Sequence, residues 1–233
     1  MTLARKAGIT VATTRVIPLL TANAVAVKRF DRADGGRIHS IFAGTALRAA
    51  AVDAEPELSY PALAQLLRRA GVTQNDRNEK DARELFRRMV FNILIDNTDD
   101  HEKNHALLVT APGANGKYEL APAYDVLPTG SGQGYQEFVC GTDGHDSTLA
   151  NAMSQPGLFG LTPAEAAAEV AGVIDVVARV RTPASCAIGF FPLLARYPLI
   201  SKAPVPVVAD LIYLESGIAL STSNMIVAGS IDD

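Results

Sequence analysis

Cysteine is almost missing from this chain of 233 residues, with Cys140 and Cys186 the only two. A disulfide framework is thereby excluded. Neither thiol has metal-ligand spacing, so a reducing cytosol with both thiols inert and buried is the simplest setting. A block of positive charge is missing too. Lys and Arg total 21 against 25 Asp and Glu, the formal net charge is −4 and the pI is near 5.6. Basic residues are scattered or cluster only briefly, as in Arg68-Arg69 and Arg87-Arg88, which leaves no nucleic-acid footprint. No apolar run reaches the roughly 20 residues of a membrane span, because Lys202, Pro204, Pro206, Asp210 and Glu215 break the richest one. Met1 to Gly8 lacks the apolar core of a signal peptide. A soluble, cytoplasmic protein with no membrane and no direct nucleic-acid contact is expected. What the chain has in plenty is hydrophobic content, 48%, ample for one large core or two small ones. No internal repeat is visible.

Leu3 to Ala7 reads as the last turns of a helix closed by Gly8, so that the chain opens as if cut, with Ile9-Thr10-Val11 extended after it. Ala24 to Phe30 reads as a strand. Asp34-Gly35 turns it back through Arg37-Ile38-His39. Pro61 to Ala70, ended by Gly71, is a short helix, and a longer one starts near Asp76. In that longer helix Leu85, Phe86, Met89, Val90, Ile93 and Leu94 recur at helical spacing and make a core face. Thr162-Pro163-Ala164-Glu165 supplies a cap, a proline at the first helical position and a capping-box acid for a helix to about Val180. Beyond Arg181 the pattern fades into apolar, proline-interrupted sequence.

The chemistry lies in Asn97-Thr98-Asp99-Asp100-His101-Glu102-Lys103-Asn104. Asp99-x-x-x-x-Asn104 has the spacing of the kinase catalytic loop, where the Asp receives the substrate hydroxyl proton and the Asn holds magnesium. The His-Arg that precedes that Asp in protein kinases is replaced by Asn97-Thr98. His105 to Val109 and Tyr118 to Leu120 flank a turn-rich Ala111 to Lys117, which predicts a β-hairpin. Antiparallel strands return the chain, so Asn104 should lie near Pro122 to Asp125, where one Mg²⁺ could take an amide oxygen and a carboxylate. An acidic cluster such as Asp96, Asp99, Asp100 and Glu102 is ordinarily a solvated loop. His101 either contacts phosphate or orders that loop. A two-metal hydrolase is the chemical rival, but His39 and His145 are too far off in sequence to complete its ligands. The glycines of Pro128 to Gly134 do not open a helix through Gly-Lys-Ser/Thr, and Gly116-Lys117 runs into Tyr118, so neither is a phosphate loop.

Taken together, Val27 to Arg32, Arg88 to Asn92, Asn97 to His105 and Leu120 to Pro128 resemble the HipA-type toxin kinases, over roughly Leu3 to Arg179. The resemblance implies an ATP- and Mg²⁺-dependent serine/threonine protein kinase, the toxin of a type II toxin–antitoxin pair, with a protein substrate and an antitoxin of the HipB type. It implies an α+β, mainly helical fold: a protein-kinase-like C-lobe with an inserted β-hairpin and a remnant of N-lobe strands. The division expected is 1–50 for partial N-lobe and hinge, 51–181 for the C-lobe, and 182–233 for a divergent tail. On the same resemblance Asp99 is the catalytic base, Asn104 and Asp125 hold Mg²⁺, and Lys28 to Phe30 form the hinge that meets adenine through the backbone. The family's Gly-rich phosphate loop and strand lysine are not found in these residues, since Lys6 is the only lysine before the hinge. A truncated and impaired kinase is therefore expected. The alternative is a non-catalytic lobe that keeps only a structural or partner-binding role.

Overall fold

A computed structural model of the protein describes residues 1–20, 23–33, 36–51, 55–110, 116–129 and 132–178. The Asp34-Gly35 turn tip, Ala111 to Asn115, Cys186 and the tail lie outside the described residues. The elements run α1 (Thr2–Lys6), β1 (Thr14–Pro18), β2 (Asn23–Val27), β3 (Arg32–Ala33), β4 (Gly36–Arg37), β5 (Ser40–Phe42), α2 (Ala43–Ala50), α3 (Tyr60–Ala70), α4 (Arg77–Leu94), β6 (Ala106–Val109), β7 (Tyr118–Leu120), α5 (Leu149–Ala152) and α6 (Pro163–Ala178). Helices and small antiparallel sheets are thus mixed. Among the described residues no helix is long and apolar enough to cross a membrane.

The helices form where local chemistry favours them. Ser59 caps α3 by accepting from Ala62 N–H at 3.0 Å, and Pro61 occupies the first turn, where its missing donor costs nothing. Thr162 and Glu165 cap α6 reciprocally: Glu165 N–H donates to the Thr162 hydroxyl at 3.2 Å, and Thr162 N–H to the Glu165 carboxylate at 2.9 Å. Along α4, Leu85, Phe86, Met89, Val90 and Ile93 are buried at the spacing the sequence shows. They meet Leu63 and Leu67 of α3, Val170 and Val173 of α6, and Phe159, whose ring stands edge-on to Phe86 at 5.2 Å. Each such side chain contributes about 1.5–3 kcal/mol by leaving water. Ala4, Ala7 and Ile9 from the N-terminus and Ala43, Ala46 and Leu47 of α2 belong to this same core.

Two features differ from the sequence expectation. The hairpin β6–β7 is not free-standing, because β5 pairs with β6 on its other side, Ser40 against Leu108 and Phe42 against Ala106. The strand expected from Ala24 to Phe30 stops at Val27 and pairs with β1, Thr14 against Val27 to Pro18 against Asn23, because the β-branched Thr14, Val16 and Ile17 offer it an edge. The expected return through Arg37 is left to the two-residue strands β3 and β4, Arg32 against Arg37.

Candidate functional site

The site begins where α4 stops. Asp96 takes the left-handed conformation, φ 55°, that usually falls to glycine, with its N–H on Ile93 O at 3.2 Å and that of Asn97 on Asn92 O at 2.9 Å. This is a Schellman ending. The Asp96 carbonyl accepts Thr129 N–H at 3.0 Å and its carboxylate accepts Gly132 N–H at 2.7 Å, which ties the helix end to the segment after Asp125. The acidic cluster is therefore not a uniformly solvated loop. Asp96 and Asp100 are 4% and 2% exposed, Glu102 lies 3.7 Å from Arg48, and Asp99 is the exposed member.

From Asp99 the chain winds back on itself. Asn104 Nδ2 donates to the Asp99 carbonyl at 3.1 Å and Asn104 N–H to the His101 carbonyl at 2.9 Å. With its nitrogen held, the amide keeps Oδ1 for a ligand. His101 Nδ1 accepts the Lys103 N–H at 3.3 Å, so this ring orders the loop.

The other half arrives along β7. The ladder Leu107 against Leu120 continues through Ala121 N–H on Ala106 O at 2.9 Å, a register that sets Asn104 opposite Ala123. Tyr124 then donates its hydroxyl to the Lys103 carbonyl at 2.6 Å. The Tyr124 phenol is pushed up to about 12, first by burial and then by the Asp125 charge, so it is a donor at neutral pH. Asp125 itself is exposed with φ 52°. Asn104 and the Tyr124-Asp125 segment are thus brought together. The hinge candidate joins them through Phe30, whose ring lies 5.4 Å from that of Tyr124. Lys28 is exposed, and its N–H is already bonded to Thr13 O at 2.8 Å, which leaves its carbonyl and ammonium for any ligand.

Arg88, which the sequence offers as half of a basic pair and as the head of a family-like run with no role attached, is part of the site's frame. It is 3% exposed on α4, pairs with Glu84 at 2.5 Å and donates to Ala121 O at 2.8 Å and Thr10 O at 3.4 Å. Thr10 O also accepts Ala123 N–H at 2.8 Å, so one buried guanidinium holds both the N-terminal segment and the approach to Asp125. The signal was present, since a cation interrupting an apolar helical stripe needs buried partners.

Among the described residues no group of three or more His, Cys, Asp or Glu side chains is placed to hold a metal ion, which gives the two-metal hydrolase no support. An amide oxygen and a carboxylate suit the alternative: magnesium takes few protein oxygens and completes its shell with water and phosphate. Cys140 is buried, and burial with the neighbouring Asp100 charge pushes its thiol up, as an inert cysteine requires.

Comparison with curated proteins gave no match. Among solved structures the fold is similar to HipA of Shewanella oneidensis MR-1, solved in a complex of the toxin–antitoxin proteins HipA and HipB with operator DNA, at a TM-score of 0.60 and 20% identity. The alignment covers 84% of this chain and 53% of that one, so the chain spans about half the length of that relative. The HipA-like C-terminal domain matches residues 1–181. With most of its length inside that match, the chain belongs to the HipA-like C-terminal domain family.

Proposed function

We propose that this chain carries the catalytic half of a HipA-type serine/threonine protein kinase, the toxin of a type II toxin–antitoxin pair whose partner is an antitoxin of the HipB kind. The observation that carries the reading is the closed loop from Asp99 to Asn104, pinned to the Asp125 segment by the Tyr124 hydroxyl on Lys103 O. Asp99 stands exposed at the loop's outer edge, where the hydroxyl of a folded protein substrate can reach it. Its carboxylate takes that proton as the oxygen bonds to the terminal phosphorus of ATP and the bond from that phosphorus to the β–γ bridging oxygen breaks, with ADP as the leaving group. Asn104 Oδ1 and the Asp125 carboxylate would hold Mg²⁺, which would draw off charge from the phosphates. Phe30 and the backbone around Lys28 border the space for adenine.

The two carboxylates should separate when a protein in which a Gly-rich phosphate loop and strand lysine have been joined ahead of these residues is titrated with Mg·ATP. Asp125→Ala removes a group that contributes to bound nucleotide, and should weaken binding by about 10-fold or more, the ordinary cost of losing a metal-site partner. Asp99→Asn removes a group needed when the proton moves, and should leave binding within about 3-fold while abolishing transfer. Equal loss of binding in both variants overturns the separate roles.

A further inference from the structure

Beside the exposed Asp99, the Asp100 side chain turns the opposite way and is 2% exposed. Its Oδ2 accepts the Tyr60 hydroxyl from α3 and lies 3.2 Å from His105 Nε2, at the approach to β6. Tyr60 is fully buried, and burial with the Asp100 charge raises its phenol, so the hydroxyl stays protonated and donates. That hydroxyl also accepts Asn92 Nδ2 at 3.0 Å, and Asn92 Oδ1 accepts Asn97 Nδ2 at 3.2 Å. The Asp100 carbonyl takes Phe138 N–H at 2.9 Å, and the Tyr60, His105 and Phe138 rings pack on one another at 4.8 to 5.4 Å. One carboxylate therefore joins α3 and the approach to β6 directly, and α4 through the Tyr60 hydroxyl and Asn92, among side chains that are all buried. Its alternation with Asp99 means that the buried contact fixes which way the exposed neighbour points.

We infer that Asp100 is a positioning residue, whose buried bonds to Tyr60 and His105 hold the Asp99–Asn104 loop in the shape that presents Asn104 Oδ1 and Asp125 to one metal ion. The inference rests on the proposed metal site and adds a residue that does not touch the ligand. No proton transfer is assigned to Asp100 or His105.

The test is paramagnetic broadening by Mn²⁺ alone, followed by NMR on the full chain, which detects weak sites and needs no turnover. In the wild type, low Mn²⁺ should broaden the Asn104 side-chain amide and the Asp125 backbone amide together, and Asp125→Ala should remove both effects. Asp100→Ala should uncouple them, with Asn104 needing about 10-fold more Mn²⁺ than Asp125, the usual range for removing a residue that orients a ligand. Asp100→Asn keeps an acceptor oxygen for both donors and should restore joint broadening. Tyr60→Phe deletes one hydroxyl, keeps the ring packing, and should give a smaller shift in the same sense if Asp100→Ala does not fold. Joint broadening unchanged in Asp100→Ala, or in Tyr60→Phe where that variant must serve, overturns the positioning role while leaving the metal site standing. No joint broadening in the wild type overturns the site and the inference with it.

Discussion

At the scale of single residues, the loop depends on side chains whose backbone or burial is costly in isolation. Asp96 sits in the left-handed region, which costs an ordinary L-residue about 1 kcal/mol or more, and its carboxylate offsets this by accepting Gly132 N–H. The two contributions can be separated. Asp96→Gly relieves the backbone and loses the bond, whereas Asp96→Ala loses the bond and keeps the strain. In urea denaturation Asp96→Ala should be the less stable of the two by about 1 kcal/mol. Equal stabilities would mean that the helix end shifts to accommodate alanine. That Asn104 would lie near the Tyr124-Asp125 segment was legible, because the hairpin that returns the chain carries its own strand and turn signals. Arg88, Tyr60 and Asp100 were not, because what makes them matter is contact with segments far away in sequence: Thr10 with Ala121, and helix α3 with β6.

At the scale of elements, legibility followed the strength of local chemistry. Helices α3 and α6 carry side-chain caps and α4 an apolar stripe several turns long, and each lies where the sequence placed it. Strand β5 spans three residues, and helix α2 spans eight and has no side-chain cap. Ser40–Phe42 becomes a strand because β6 offers it an edge, and Ala43–Ala50 is capped by Phe42 with no side-chain bond. Such elements are set by tertiary partners, which periodicity cannot report. The α6 capping box gives a test at this scale. Thr162→Ala should cost about 1 kcal/mol of stability in thermal or urea unfolding. Bonds from Thr162 hold the Glu165 carboxyl below its ordinary range, so its contribution is fully present above the ordinary glutamate pKa, near 4.5, and is lost as pH falls through the depressed folded value. In Glu165→Ala the fall in stability on acidification should be shallower than in the wild type. An unchanged acid slope would show that the box does not operate in solution.

At the scale of the whole molecule, charge is distributed unevenly about the site. From Tyr118 to Ala178 the chain has no Lys or Arg, yet it includes Glu119, Asp125, Glu137, Asp143 and Asp146. Asp99 and Asp125 are exposed, Arg48 and Arg88 are already engaged with Glu102 and Glu84, and the exposed cations of the loop and hinge segments are the single lysines Lys103 and Lys28 with Arg29, which is paired with Asp31. A nucleotide phosphate approaching here meets like charge that one magnesium ion offsets only in part. In phosphoryl transfer, positioning and charge stabilisation supply nearly all of the rate, and cationic groups on the phosphates are a large share of both. These 233 residues contain no Gly-rich loop leading to a lysine before the hinge segment. The chain on its own should therefore bind Mg·ATP with a dissociation constant on the order of 1 mM, close to −4 kcal/mol, and transfer no measurable phosphate. Calorimetry at high protein concentration followed by a radiolabelled transfer assay gives the answer. Micromolar affinity or steady autophosphorylation would require the cationic clamp to come from within these residues, and the reading of this chain as half of a kinase would have to be withdrawn.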